Sequence, residues 1–206
     1  MRYYVYVSDI KIDMLFEQLP KKWLDHAALE LKIDAKILAG SLKKDPSTET
    51  RYHKLKLVIE ALRASGEIGN YEAPKSYFSG SMAMGWGPPK FMHLADEKAE
   101  LMVLFGGSPD GKQGVALIGS AAHLLGEVGT PVHAFYARPQ FLQKLAHGIQ
   151  DFSEKEFNDN IMGTYNLARE VSLFPEGATH PVEFVEKYLL QRGDTLIGTP
   201  LYVAIA

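Results

Sequence analysis

The segment GSAAHLLG, residues 119–126, is where residue type and spacing most favour chemistry. Ser120 follows an expected strand and can cap the next segment, and His123 stands one turn further on. A hydroxyl, an imidazole and freed backbone N–H groups can therefore converge on an anion. That set suits phosphate binding or proton transfer. The plainer alternative is that Ser120 is only a cap and His123 a satisfied structural histidine. The surroundings of Ser120 do not match the Gly-x-Ser-x-Gly elbow of serine hydrolases.

Three other places carry candidates. VSDIK, residues 7–11, offers Ser8, Asp9 and Lys11 at a strand-to-helix junction, where ligands of α/β proteins tend to bind. Each of them alone reads as an N-cap or a solvated lysine. YFSGSMAMGWGPP, residues 77–89, puts Tyr77, Ser79 and Ser81 on one face of a strand and Met84 and Trp86 on the other, hydroxyls against a stackable apolar surface. Aromatics at strand spacing are usually core, though the Tyr77 hydroxyl argues for partial exposure. Arg51 and His53 fall in the expected first turn of a helix, where the dipole does not favour cations, and so hint at an anionic partner. GGSPDGKQG, residues 106–114, has neither the Walker ending nor the Gly-x-Gly-x-x-Gly spacing and reads as a hairpin turn. His133, after Pro131, sits in a loop with no evident partner.

The elements that must position these residues follow from periodicity. Tyr3 to Ser8 has aromatic and β-branched residues on both parities and is expected as a central strand. A helix with Ile12, Leu15, Phe16 and Leu19 should end at Pro20, and a second should run from Lys21 to about Leu29. Residues 31–42 alternate as a half-exposed strand, KKDPSTET is a loop, and Tyr52, Leu55, Val58, Ile59 and Leu62 form a helical stripe ended by Gly66. Residues 66–119 read as an antiparallel meander, with small side chains at 79, 81 and 83 leaving one face of its strand nearly bare. Beyond Pro139 come a helix with Phe141, Leu142, Leu145 and Ile149, and another opened by the capping box Ser153–Glu156. A third helix is expected after Pro181, and TLIGTPLYVAIA should return to the sheet as a strand. The expected fold is α+β, a mixed, mainly antiparallel sheet packed against helices in a single domain over 1–206. It is sheet-rich over 1–120, helix-rich over 138–192, and has a C-terminal strand at 194–204.

Composition bounds the function. The chain has 206 residues, 46% of them apolar and 23% charged, enough to bury a substantial core. Its formal charge of −3 excludes a polyanion coat, so duplex nucleic acid is not an expected partner. The charge is uneven: residues 1–66 hold 12 Lys/Arg against 9 Asp/Glu, and residues 67–206 hold 10 against 16, so an anion should bind nearer the N-terminal part. With no cysteine, a disulfide framework and thiolate chemistry are out, and seven scattered histidines include no i, i+4 pair for zinc. No metal or cofactor is expected. The start of the chain is not a signal peptide and no apolar run approaches a membrane span, so a cytoplasmic protein without membrane contact is expected.

With YVYVSDIKIDM, LKIDAKIL, YFSGSMAMGWG and LIGSAAHLLG side by side, the chain resembles a family of uncharacterised bacterial proteins. That family has a YVYVSD-type start, a Y-F-x-G strand with a following W-G, and a G-S-x-x-H-x-x-G motif. It is further similar to the ring nucleases of type III CRISPR immunity, homodimers that cut cyclic oligoadenylate second messengers. The resemblance implies a metal-independent phosphodiesterase that switches off antiviral signalling, in which a ribose 2′-OH attacks the adjacent phosphate. It implies His123 as base or acid, Ser120, Ser8 and Tyr77 as orienting groups, and Lys11 and Arg51 as phosphate holders. Asp9, Ser79 and Trp86 complete the implied ligand contacts. A small cyclic oligonucleotide is the implied partner, and a twofold homodimer matches its symmetry. A cyclic-nucleotide-binding module without catalysis, or an interaction domain without a small ligand, are the alternatives.

Overall fold

The computed structural model describes residues 2–21, 23, 46–90, 102–126, 132–133, 138–148, 152–173 and 177–206. They fall into two compact units, one of Asp9–Glu67 and one of Met1–Ser8 with Ile68–Ala206. The strand expected at 31–42 and most of the helix expected at 21–29 lie outside the described residues.

The smaller unit is a helix pair, α1 (Asp9–Glu17) and α2 (Pro46–Ala64). Helix α2 buries Leu55, Val58, Ile59 and Leu62 as expected, together with Leu57 and Ala61. It ends where Gly66 adopts a φ of 72°, Gly66 N–H reaching the Arg63 carbonyl and Glu67 N–H that of Leu62. That pair of bonds is the Schellman ending which a left-handed glycine permits. Lys54 on α2 meets Asp13 on α1 at 2.7 Å and Arg51 meets Asp9 at 2.6 Å. Because α2 begins at Pro46, Arg51 and His53 lie beyond its first turn, and the helix-dipole argument for them lapses.

The larger unit is built on a sheet that closes on itself. Strands β3 (Tyr77–Gly87), β5 (Met102–Gly107), β6 (Gly114–Ser120), β9 (Thr195–Ile205) and β8 (His180–Arg192) pair in that order, and β8 pairs back onto β3. The result is a small five-stranded barrel, antiparallel except where β6 meets β9. Strand β1 (Tyr3–Val7) runs antiparallel to the end of β9, and β2 (Ile68–Asn70) runs parallel to the start of β3. Two short strands, β4 (Pro89–Lys90) and β7 (Val132–His133), form a separate pair. The α+β class is the one expected from the sequence, and among the described residues no helix is long and apolar enough to cross a membrane.

Few strands make a narrow barrel, and its interior works by pairing large side chains with none. Phe78, Met82, Met84, Val103, Phe105, Val115, Leu117, Val182, Phe184, Leu196 and Val203 form the buried inner cluster with Val5 and Tyr6. Glycines face them: a Cβ at Gly80 would meet the Phe184 ring, one at Gly107 the Met84 side chain, one at Gly119 the Tyr6 ring, and one at Gly198 the Glu186 carboxylate. Outside, α3 (Pro139–Ala146) and α4 (Glu154–Leu173) cover β5, β6 and β9. Phe141, Leu142, Leu145, Leu167, Ala168 and Val171 pack on Met102, Leu104, Ala116, Ile118 and Ile197. The Ser153 hydroxyl accepts the Glu156 N–H at 3.2 Å, the first half of the expected capping box. Gly106 lets the backbone of Val171 and Ser172 approach β5, since a Cβ there would lie 2.2 Å from the Val171 carbonyl oxygen.

Three expectations change. Residues 180–192 are strand β8 rather than a third helix, because hydrogen-bonding partners on both sides, β3 and β9, outweigh the helix-forming Glu, Lys and Leu. The helix-rich stretch assigned to 138–192 therefore stops at Leu173. Strand β1 stands at the end of the strand order rather than in the middle, its other edge met by the single bridge from Tyr6 to Leu124. Residues 79, 81 and 83, expected to leave one face of β3 nearly bare, share the face opposite the inner row, and inside it is Gly80 that makes room.

The packing predicts a large effect from one methyl group. In Gly119→Ala the new Cβ would sit 2.8 Å from the Tyr6 ring, so overpacking should cost about 1–3 kcal/mol in urea unfolding. An unchanged midpoint would show that the ring has room to move.

Candidate functional site

The inward rows of β3 and β8 end, on one side of the barrel, in Trp86 and His180. Trp86 lies directly across from Phe105 in the β3–β5 register, and His180 across from Met84 in the β3–β8 register. The Trp86 ring is 5.3 Å from His180 and 6.1 Å from Phe105. Phe105 meets Tyr6 edge-on at 5.8 Å, and Tyr6 meets His123 edge-on at 6.0 Å. Five rings thus run in sequence, His123, Tyr6, Phe105, Trp86 and His180, with an imidazole at each end. Tyr6 and Phe105 are fully buried, Trp86 and His123 half-buried, and His180 exposed.

Local structure explains each placement. Tyr6 can lie over β6 because position 119 is glycine. His123 closes a three-residue 3₁₀ turn, Ala121–His123, that leaves β6 and returns the chain to β1 through Leu125 N–H on the Val5 carbonyl at 2.7 Å. Ser120 stands at the N-cap position in extended conformation but makes no side-chain cap hydrogen bond. The turn is too short to aim a helix N-terminus at an anion, so the backbone N–H part of the expected site is missing; the imidazole and hydroxyl stay adjacent to the barrel end.

Within the larger unit, Tyr77 and Ser79 separate from this cluster. Tyr77 is buried at the opposite end of β3, pairing with Ile68 and Lys187, some ten residues and roughly 33 Å of strand from Gly87. Ser79 lies near it, half-buried, its hydroxyl donating to the Gly69 carbonyl at 3.3 Å. Ser8 is buried and its N–H donates to the Leu201 carbonyl at 2.9 Å. Asp9, Lys11 and Arg51 belong to the helix pair, where Arg51 pairs with Asp9 at 2.6 Å. In the β5–β6 hairpin the Asp110 carboxylate accepts the N–H groups of Lys112 at 2.8 Å and Gln113 at 2.9 Å. The Gln113 and Lys112 N–H groups hold its carboxyl below the usual range, as a turn-forming aspartate should be held. Segment 106–114 is thus the hairpin turn it was expected to be. His133 is in β7 by backbone; its side chain lies outside what is described.

Sequence reasoning missed His180 and Tyr6 as partners of His123 and Trp86. The signal for His180 was the alternation Val182, Phe184 behind it, masked by the reading of 180–192 as helix. Among the described residues, no group of three or more His, Cys, Asp or Glu could hold a metal ion.

Phe105 touches both Tyr6 and Trp86 and is fully buried, so Phe105→Ala should cost about 3–5 kcal/mol in denaturant unfolding. It should also change the near-ultraviolet circular dichroism of the rings. A loss below 1 kcal/mol with unaltered spectra would show that the rings are not mechanically coupled through this residue.

No curated protein and no solved structure matches the chain significantly. A family described as a family of unknown function, DUF7019, matches residues 2–206. With nearly its whole length inside that match, the chain belongs to the DUF7019 family.

Proposed function

We propose that the chain is a metal-independent phosphodiesterase for cyclic oligoadenylates, a ring nuclease, with its site at the barrel end where the five rings meet. The observation that carries this reading is the run of aromatic rings with an imidazole at each end. Cleavage by an internal 2′-OH requires a group that takes or orients the 2′-OH proton, cations or N–H groups that stabilise the charge developing on the phosphorane, and a means of holding the bases. His123 accepts the 2′-OH proton as the O2′–P bond forms, and water gives a proton to O5′ as the P–O5′ bond breaks. The product is linear oligoadenylate with a 2′,3′-cyclic phosphate end. Ser120 orients the sugar, and Trp86, with His180 against its ring, stacks a base. Tyr77 and Ser79, at the far end of β3, are left out of this site, and Ser8, Asp9, Lys11 and Arg51 remain supported by the family resemblance alone. A twofold homodimer would present two copies of the site to one symmetric ring. The reading places its work in the cytoplasm, which the cysteine-free chain suits.

A second reading keeps the ligand and drops the cut: Trp86, half-buried and backed by Phe105, offers a face on which a base can stack, and stacking needs no acid or base. One experiment separates the two. Cyclic di-, tri-, tetra- and hexanucleotides are incubated with the protein in EDTA, and linear products are sought. The nuclease reading predicts cleavage of an oligoadenylate ring, lowered about 10²–10⁴-fold in His123→Ala while the variant remains folded. Trp86→Ala should weaken binding by about 1–3 kcal/mol. Intact rings together with a thermal shift, about 2.7 kcal/mol of stabilisation at 100 times the dissociation constant, would leave the binding module standing. Intact rings without a shift would remove both.

A further inference from the structure

The geometry points to a pH-sensitive switch in the barrel wall: Glu186 is stored inside as a neutral acid, and its ionisation opens the β8–β9 seam locally. The inference does not depend on the nuclease reading. Glu186 is completely buried, and neither carboxylate oxygen has a hydrogen-bond partner among the described residues. It is on the inward row, opposite Phe78 of β3 and Pro200 of β9, and its carboxylate occupies the space that Gly198 leaves by lacking a Cβ. Its surroundings offer an ionised carboxylate nothing. From β3 it faces Phe78 and from β9 Gly198 and Pro200, while β6 brings Leu117 opposite Gly198. Among the described residues the titratable groups that line or edge the inner cluster are the phenols of Tyr6, Tyr71 and Tyr188 and, at the barrel end, the imidazoles of His123 and His180; on either side of Glu186 along β8 the residues are Val185 and Lys187, the latter paired with Tyr77. Burial alone pushes the Glu186 carboxyl well above its ordinary value, with no charge or hydrogen bond acting on it.

The seam beside it is already irregular. Between Val185 and Glu186 the pairing steps from Tyr202 to Pro200, which leaves Leu201 as an extra residue on β9, and Pro200 has no N–H to give. A second irregularity follows between Tyr188 and Leu190. Two bulges with a proline at one of them bracket the carboxyl, so the bonds that must yield to admit water lie next to the group that would call for it.

The sign is fixed by the direction of the shift. A carboxyl whose folded-state value is raised leaves stability intact below the ordinary carboxylate range. Stability then falls as pH rises from that range toward the raised value, and the loss levels off above it. The test uses the full chain as wild type and as Glu186→Gln, with Glu186→Leu as the variant to use if the amide does not fold. Urea unfolding is measured from pH 4 to 9, and amide hydrogen exchange is compared between proteins at each pH. In the wild type the unfolding constant should rise up to tenfold per pH unit across that window. The variants should lack this rise and be the more stable at neutral pH. Amides of Glu186–Leu190 and Ile197–Tyr202 should exchange faster in the wild type than in the variant at high pH, while those of β5 and β6 remain alike. Parallel stability profiles would overturn the stored acid. A rise in exchange spread evenly over the barrel would overturn the local opening.

Discussion

Everything in the larger unit depends on closing a sheet of five strands. A ring that small has no room for a side chain at every inward position, and close packing tolerates neither a void nor a clash. The solution is a set of complementary pairs, Gly80 with Phe184, Gly107 with Met84, Gly119 with Tyr6 and Gly198 with Glu186. Each glycine is on a different strand from its occupant, so each pair fixes how two strands meet. Gly80 and Phe184 stand directly opposite each other in the β3–β8 register, and Met84 and Gly107 do so in the β3–β5 register. Sheet closure and core packing are therefore one constraint.

Closure also assembles the ring cluster. Trp86 and His180 are 94 positions apart in the chain and meet only because β8 returns to β3 and seals the barrel. Tyr6 reaches Phe105 because β1 lies along β9 and position 119 is bare. The same closure carries His123 to Tyr6 through the 3₁₀ turn and its bridge. A site assembled in this way belongs to the scaffold rather than to a mobile loop, with its central rings held as rigidly as the core they belong to.

What could be read from the sequence was what is local. The cap Ser153, the stop at Gly66, the turn at Asp110 and the two-residue period of β3 each depend on a few neighbouring residues, and each is present. Strand β8 could not be read in the same way. HPVEFVEKYLLQR is rich in helix formers, and its strand character is imposed by β3 on one side and β9 on the other, the latter's sequence following it. A helical reading of this stretch hides the inward positions of both His180 and Glu186, which only the strand pairing reveals. The pairing of Asp9 with Arg51 is likewise non-local, since it exists only when the two helices are side by side.

The inward glycines offer a signal that propensity does not. A glycine inside a strand weakens it through entropy and lost packing, so its presence needs a reason, and in a closed barrel the reason is a neighbour's bulk. For Gly80 and Gly119 that bulk is an aromatic ring, which repays burial directly, and Gly107 admits the Ala83 backbone together with the Met84 side chain. For Gly198 it is a carboxyl, which burial favours only in the neutral form. A leucine or methionine in that space would stabilise the core at every pH, as Met84 does above Gly107. Glutamate makes the interior respond to protons at the point where the wall is least regular, between Pro200 and the break in register after Tyr188. The two ends of the inner row of β8 thus differ in kind: His180 opens onto solvent among stacked rings, and Glu186 lies sealed beneath a seam whose closure depends on its proton.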